Sequence, residues 1–222
     1  MTLVESVCGL LRRTYALEAP LLPIGAYIIG DAGFRALYAE EAVEAGSGAG
    51  EGARLLVRDA GDGIRARIYF PDSMIARLEA RPPQRGLAED NVDAFAVLVE
   101  ELDHLLVTAE RAHGGRGVSL LELELQANVS KDLVLSRFLA GSRPRLARSR
   151  RDWLRHHLFF KRVYADSDAQ VRARYDEAAR TALRFLGALE AVPRTRRVGA
   201  LRRFHRAPLG EKLALSWPGR PL

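Results

Sequence analysis

A glutamate and a histidine stand one helical turn apart in the most apolar helix that the sequence predicts. Glu101 and His104 lie within residues 94–107, which are apolar on most faces of a helix and are therefore expected to be buried. A carboxylate and an imidazole held away from water can bind a metal ion, exchange protons with a substrate or satisfy each other as a buried polar pair. These two residues are the first candidates for a functional site.

The Glu-x-x-His spacing of Glu101 and His104 resembles the motif that two helices of ferritin-like di-iron bundles each supply. Such a site needs a second Glu-x-x-His on another helix. The other occurrence in this chain, Glu110 and His113, lies on the same helix, and nine residues at about 100° each turn it to the opposite side. A metal site at Glu101 and His104 is therefore expected to be mononuclear.

A second helix is expected to face the first. Ser119 and Glu122 form a capping box that starts this helix, which runs to Leu139 and ends at Gly141. The connection after His113 is short, so the two helices should form an antiparallel hairpin.

The hairpin places a second carboxylate, Glu124, one turn from the level of His104. Glu101, His104 and Glu124 are therefore the predicted ligands of a divalent metal ion, since carboxylate oxygens and imidazole nitrogens are common ligands of Zn²⁺, Fe²⁺ and Mn²⁺. A structural alternative remains open. In it, Glu101 pairs with Lys131, and His104 forms a hydrogen bond with Asn128 or Glu124.

The remaining pattern predicts an α+β protein that is mainly α. Two strands, residues 55–58 and 64–70, flank the turn DAGDG and should form a β-hairpin. A third long helix is expected from Pro144 to Tyr164. We predict a single domain over residues 1–222, in which an N-terminal helix and hairpin portion packs on a C-terminal helical bundle. The helix and hairpin portion comprises residues 1–90, the helical bundle comprises residues 91–206, and residues 207–222 form a partly ordered tail.

Charge is distributed unevenly along the chain. Residues 1–130 carry 12 Arg and 20 acidic residues, a net charge of −8, whereas residues 131–222 carry 22 basic and 8 acidic residues, a net charge of +14. Such asymmetry is typical of a surface that binds an acidic partner. Alternatively, the two halves pack together and partly neutralise each other.

Two groups of arginines could form this surface, one along the predicted third helix and one in a shorter helix near the C-terminus. Rows of guanidinium groups bind phosphate backbones and acidic proteins, although most charged helix faces are simply solvated. The residues predicted to contact nucleic acid or an acidic protein are Arg145, Arg148, Arg151, Arg155, Arg162, Arg202, Arg203 and Arg206. The leading hypothesis is a binding or adaptor protein, and the alternative is a metal-dependent enzyme whose catalytic residues are not identified.

Composition excludes several other classes of protein. With 48% hydrophobic and 28% charged residues, the chain is neither collagen-like nor largely disordered, and no apolar run reaches the roughly 18–20 residues of a membrane-spanning helix. The single cysteine, Cys8, excludes an internal disulfide. Together with the lack of a signal-peptide pattern, it predicts a cytoplasmic protein without a membrane partner. His157 is expected in the core and His205 at the surface.

Overall fold

The structure is a computed structural model that describes residues 1–44, 52–59, 61, 63–141, 143, 146–161 and 168–217. Helices make up most of this part of the chain, and one small sheet completes it, so the predicted α+β, mainly α class is confirmed. The helices are α1 (Leu3–Tyr15), α2 (Asp31–Glu44), α3 (Asp72–Ala80), α4 (Val92–His113), α5 (Leu120–Ala140), α6 (Arg148–Arg155), α7 (Ala169–Ala191), α8 (Arg194–Arg206) and α9 (Leu209–Leu215). A π-helical segment, His156–Phe160, follows α6 directly.

A three-stranded sheet contains the predicted hairpin. Strands β2 (Arg54–Asp59) and β3 (Ile64–Tyr69) pair antiparallel, and β1 (Ile28–Ile29) pairs parallel with the other edge of β3. The sequence does not reveal β1, because two residues are too short to show an alternating pattern. The central strand β3 packs against α4 and so joins the sheet to the helical bundle.

The antiparallel hairpin of α4 and α5 forms the centre of the bundle. The Ser119 hydroxyl caps α5 by accepting a hydrogen bond from the Glu122 amide at 3.2 Å, as the sequence predicts. The Glu122 carboxylate, expected to return a bond to Ser119, instead pairs with Arg111 of α4. Helix α4 also packs against α1 and α3, and its apolar face lies in the core, where Phe95 and Leu102 have no exposed surface.

The predicted third helix is shorter than expected. It begins at Arg148 and changes to the wider π-helical winding at His156. His157 is buried at this point, as expected, and its Nε2 lies 2.9 Å from the Glu89 carboxylate in the segment before α4. A π-helical turn inserts one residue into the helical repeat and so changes which side chains face the core.

The last three helices close the bundle. Asp168 caps α7 through the Gln170 amide at 2.7 Å, and α7 packs along α5. Within residues 207–222, predicted as a partly ordered tail, α9 buries Lys212 completely, and residues 218–222 lie outside the described part of the chain. None of the described helices combines the length and the apolar character needed to cross a membrane.

Candidate metal centre

The side chains of two glutamates and one histidine converge between α4 and α5. Glu100, His104 and Glu124 each offer one ligand atom, and these three atoms all lie within 4.8 Å of one another. Glu100 and His104 share a face of α4 because residues four apart are neighbours on a helix, and the antiparallel hairpin brings Glu124 to the same level. His104 and Glu124 are buried, whereas the Glu100 side chain keeps 20% of its surface exposed.

The cluster contains Glu100 where the sequence analysis placed Glu101. Oε2 of Glu101 lies 3.7 Å from Nδ1 of His104, one turn along the same helix. Glu100 is the residue that reaches α5, where its Oε2 lies 2.5 Å from Nζ of Lys131. The expected ion pair of Glu101 with Lys131 is therefore wrong. Glu100, rather than Glu101, is the α4 carboxylate that faces Lys131 on α5.

Burial and neighbouring charges shift the pKa values of two residues of the cluster, Glu124 and His104, upward. Burial, followed by the negative charge of Glu100, raises the pKa of Glu124 to about 7. Burial alone would lower the pKa of His104. The nearby carboxylate of Glu101, with the charges of Glu100 and Glu124, outweighs burial and raises that pKa to about 9. The cluster thus attracts positive charge, which either protons or a metal cation can supply.

Helix α7 forms the third side of the cluster through Tyr175. Burial raises the pKa of this half-buried phenol to about 12, and the nearby charges of Glu124 and Glu100 act in the same direction. Neither Glu100 nor Tyr175 was identified by the sequence analysis. The four-residue spacing of Glu100 and His104 was a visible signal for the first, but only the packing of α7 on α5 places the second.

The arginines of α6 differ in solvent exposure and in the acidic residues that they pair with. The Arg148 side chain is 96% exposed and lies 3.8 Å from Asp152. Arg151 and Arg155 instead bind the same carboxylate, Glu190 at the end of α7, at 3.3 and 2.6 Å. These pairs lie within the basic half of the chain. The neutralisation between the two halves that the sequence left open occurs at other pairs, such as that of Lys131 with Glu100. Two further predicted arginines, Arg145 and Arg162, lie outside the described residues.

The α8 arginines also divide into anchored and exposed groups. Arg202 donates hydrogen bonds to the carbonyl oxygens of Thr14 and Arg13, each at 3.0 Å, and so fixes α8 to the end of α1. Arg203 is half exposed and lies 3.6 Å from Glu211, and Arg206 is exposed.

His205 occupies the core rather than the surface. Only 2% of the residue is exposed, and its ring stacks on Tyr15 with 4.7 Å between ring centres. The prediction of a surface position is therefore wrong. The arginines on either side of His205 are at least partly solvated, but the face of α8 that carries His205 packs against α1.

Comparison of the chain with protein-family models, with curated proteins and with solved structures finds no match.

Proposed function

We propose that the chain is a metal-dependent enzyme that binds one divalent cation between α4 and α5. The observation that carries this proposal is the convergence of ligand atoms from Glu100, His104 and Glu124 within 4.8 Å of one another. Two carboxylates and one imidazole form a ligand set used for Zn²⁺, Fe²⁺ and Mn²⁺. Three protein ligands leave at least one coordination position for water or substrate, which is the arrangement of catalytic sites.

The surroundings of His104 support this proposal. Metal-binding histidines commonly direct the second ring nitrogen at a carboxylate, which fixes the ring orientation. Nδ1 of His104 lies beside Glu101, at 3.7 Å, and Nε2 is buried without a hydrogen-bond partner in the described part of the chain. A buried nitrogen without a partner is unfavourable, and coordination of a cation would satisfy it.

Lys131 provides the alternative source of positive charge. Its ammonium group is paired with Glu100 at 2.5 Å, and the Lys131 side chain is only 9% exposed. In a purely structural cluster, Lys131 and a protonated His104 would balance the carboxylates, and no metal would bind. The two interpretations differ in metal affinity and can be separated by direct titration.

Metal binding by the purified full-length chain tests the proposal. Isothermal titration with Zn²⁺, Mn²⁺ and anaerobic Fe²⁺ should show about one site per chain for at least one of these ions. His104→Ala and Glu124→Gln should each abolish it, whereas His113→Ala, at the exposed end of α4, should leave it intact. A wild-type chain that binds none of the three ions overturns the proposal.

The open coordination position can be tested by Co²⁺ substitution. Azide added to the Co²⁺-loaded protein should displace a water ligand and change the visible absorption spectrum. An unchanged spectrum would mean that the bound metal is fully enclosed, and the enzymatic part of the proposal would then be wrong.

A second candidate function is binding of nucleic acid by the exposed arginines, and the observation that favours it is the solvent exposure of Arg148, Arg203 and Arg206. About three phosphate contacts predict a log–log salt slope of roughly −3 for affinity to duplex DNA. Reversing these three residues to Glu should weaken binding equally across sequences. Arg155 is unsuitable for such a reversal, because a glutamate there would lie beside Asp132, now 3.6 Å from Arg155. Absence of binding to DNA and RNA at low salt would contradict this candidate.

A further inference from the structure

An arginine with a free donor lies next to the candidate metal centre. Arg174 precedes Tyr175 on α7, and its guanidinium carbon lies 5.6 Å from the centre of the Tyr175 ring. The Tyr175 phenol also interacts with Arg174 and with the charges of Glu124 and Glu100. Tyr175 therefore links Arg174 to two of the proposed metal ligands.

The Nε group of Arg174 is a buried donor that has no acceptor among the residues that the structure describes. A guanidinium nitrogen removed from water without an acceptor is costly, since hydrogen bonds to charged groups contribute more than neutral ones. A carboxylate or phosphate oxygen is the preferred partner of the guanidinium fork, because two of its N–H groups match two oxygens. The unsatisfied donor therefore indicates an oxyanion.

Exposure indicates the side from which such a ligand would enter. His104, Glu124 and Lys131 are buried, whereas Glu100, Arg174 and Tyr175 each retain intermediate exposure. The partly exposed members of this group are therefore Glu100, Tyr175 and Arg174, and Arg174 lies against the Tyr175 ring. A ligand that approaches from solvent would meet these side chains first.

We infer that the substrate of the proposed metal site carries an oxyanion, a carboxylate or a phosphate, that bridges the bound cation and the guanidinium of Arg174. This inference rests on the proposed metal-binding function and adds the class of ligand to it. Tyr175 acts as a positioning residue, since its ring supports the guanidinium and its phenol borders the two carboxylates. The bridging geometry requires metal and arginine together, so neither alone should bind the oxyanion well.

The test uses the full-length protein loaded with Mn²⁺, with inorganic phosphate and succinate as separate probes. Titration calorimetry measures the affinity for each probe, and paramagnetic broadening of the phosphate ³¹P signal reports whether the bound probe lies beside the metal. Binding of at least one probe is expected, and the probe that binds distinguishes a phosphate substrate from a carboxylate one.

Arg174→Gln should weaken probe binding at least tenfold while Mn²⁺ affinity stays within about twofold. The matched control is Arg180→Gln on the same helix, where the exposed Arg180 lies 3.7 Å from Glu177, and this variant should bind the probe like the wild type.

The outcomes separate the two proposals. If Mn²⁺ binds but neither probe does, or if Arg174→Gln retains full probe affinity, the oxyanion inference is wrong and the metal site stands. If neither Mn²⁺ nor any other tested cation binds, the metal site is wrong and the inference falls with it.

Discussion

The buried imidazole of His205 should make the protein less stable in mild acid than at neutral pH. Burial, followed by the positive charges of Lys212, Arg111, Arg206 and Arg116, lowers the pKa of His205 from 6.5 to about 3. Neither ring nitrogen has a hydrogen-bond partner in the described part of the chain, so nothing there compensates a protonated ring. The folded protein therefore keeps this imidazole neutral at pH values at which the unfolded chain protonates it.

The magnitude follows from the difference between the two pKa values. Between pH 6.5 and about 3 the unfolded state binds a proton that the folded state does not, so stability decreases as the pH falls through this range. A pH of about 5 lies roughly 1.5 units below the pKa of this histidine in the unfolded chain. The free energy of unfolding should consequently be about 2 kcal/mol smaller than at about pH 7.5 through this residue alone.

Urea denaturation of the wild type and His205→Gln at the two pH values isolates this contribution, because other titrating groups affect both proteins equally. The loss of stability between about pH 7.5 and pH 5 should be about 2 kcal/mol smaller in the variant. His113→Gln, which removes an exposed histidine, is the matched control and should retain the wild-type loss. An equal loss in the wild type and His205→Gln would refute the reasoning that the folded state excludes the proton.

Two further predictions concern the α4–α5 hairpin. Glu100→Ala leaves the buried Lys131 ammonium without its partner and should destabilise the protein by about 3 kcal/mol in urea denaturation, and Glu100→Ala combined with Lys131→Met should recover most of this loss. A double variant as unstable as Glu100→Ala would argue against an unpaired charge as the cause. Ser119→Ala removes the cap of α5 and should cost about 1 kcal/mol, whereas Ser119→Asp, which can accept the same hydrogen bond, should cost much less.

Local signals in the sequence predicted the hairpin well. Ser119 caps a helix through an amide only three residues away, and the short connection after His113 leaves few geometries for the next helix. The strand pair β2–β3 could also be predicted from the sequence, because its alternating pattern and its turn are adjacent in the chain. Each of these elements depends on contacts between residues close in sequence.

The identity of the site residues depended on distant contacts. Glu100 and Glu101 are adjacent carboxylates, and the choice between them is made by Lys131 and Glu124 on the facing helix. Sequence spacing predicted two members of the observed cluster, His104 and Glu124, but it could not predict the rotation of α4 about its axis. The predicted surface position of His205 was wrong for the same reason, since its burial against Tyr15 requires the packing of two segments 190 residues apart.

The contacts of Arg111 have a consequence for biosynthesis. Its guanidinium donates to the backbone carbonyl oxygens of His205 and Ala207, at 2.8 and 3.1 Å, and it also pairs with Glu122. Lys212 of α9 approaches the same carboxylate at 3.5 Å. During translation from the N-terminus, the α4–α5 hairpin therefore emerges from the ribosome long before the segment that completes its polar interior. Until residues 205–212 have been synthesised, the Arg111–Glu122 pair lacks the carbonyl oxygens and the ammonium group that surround it in the folded protein.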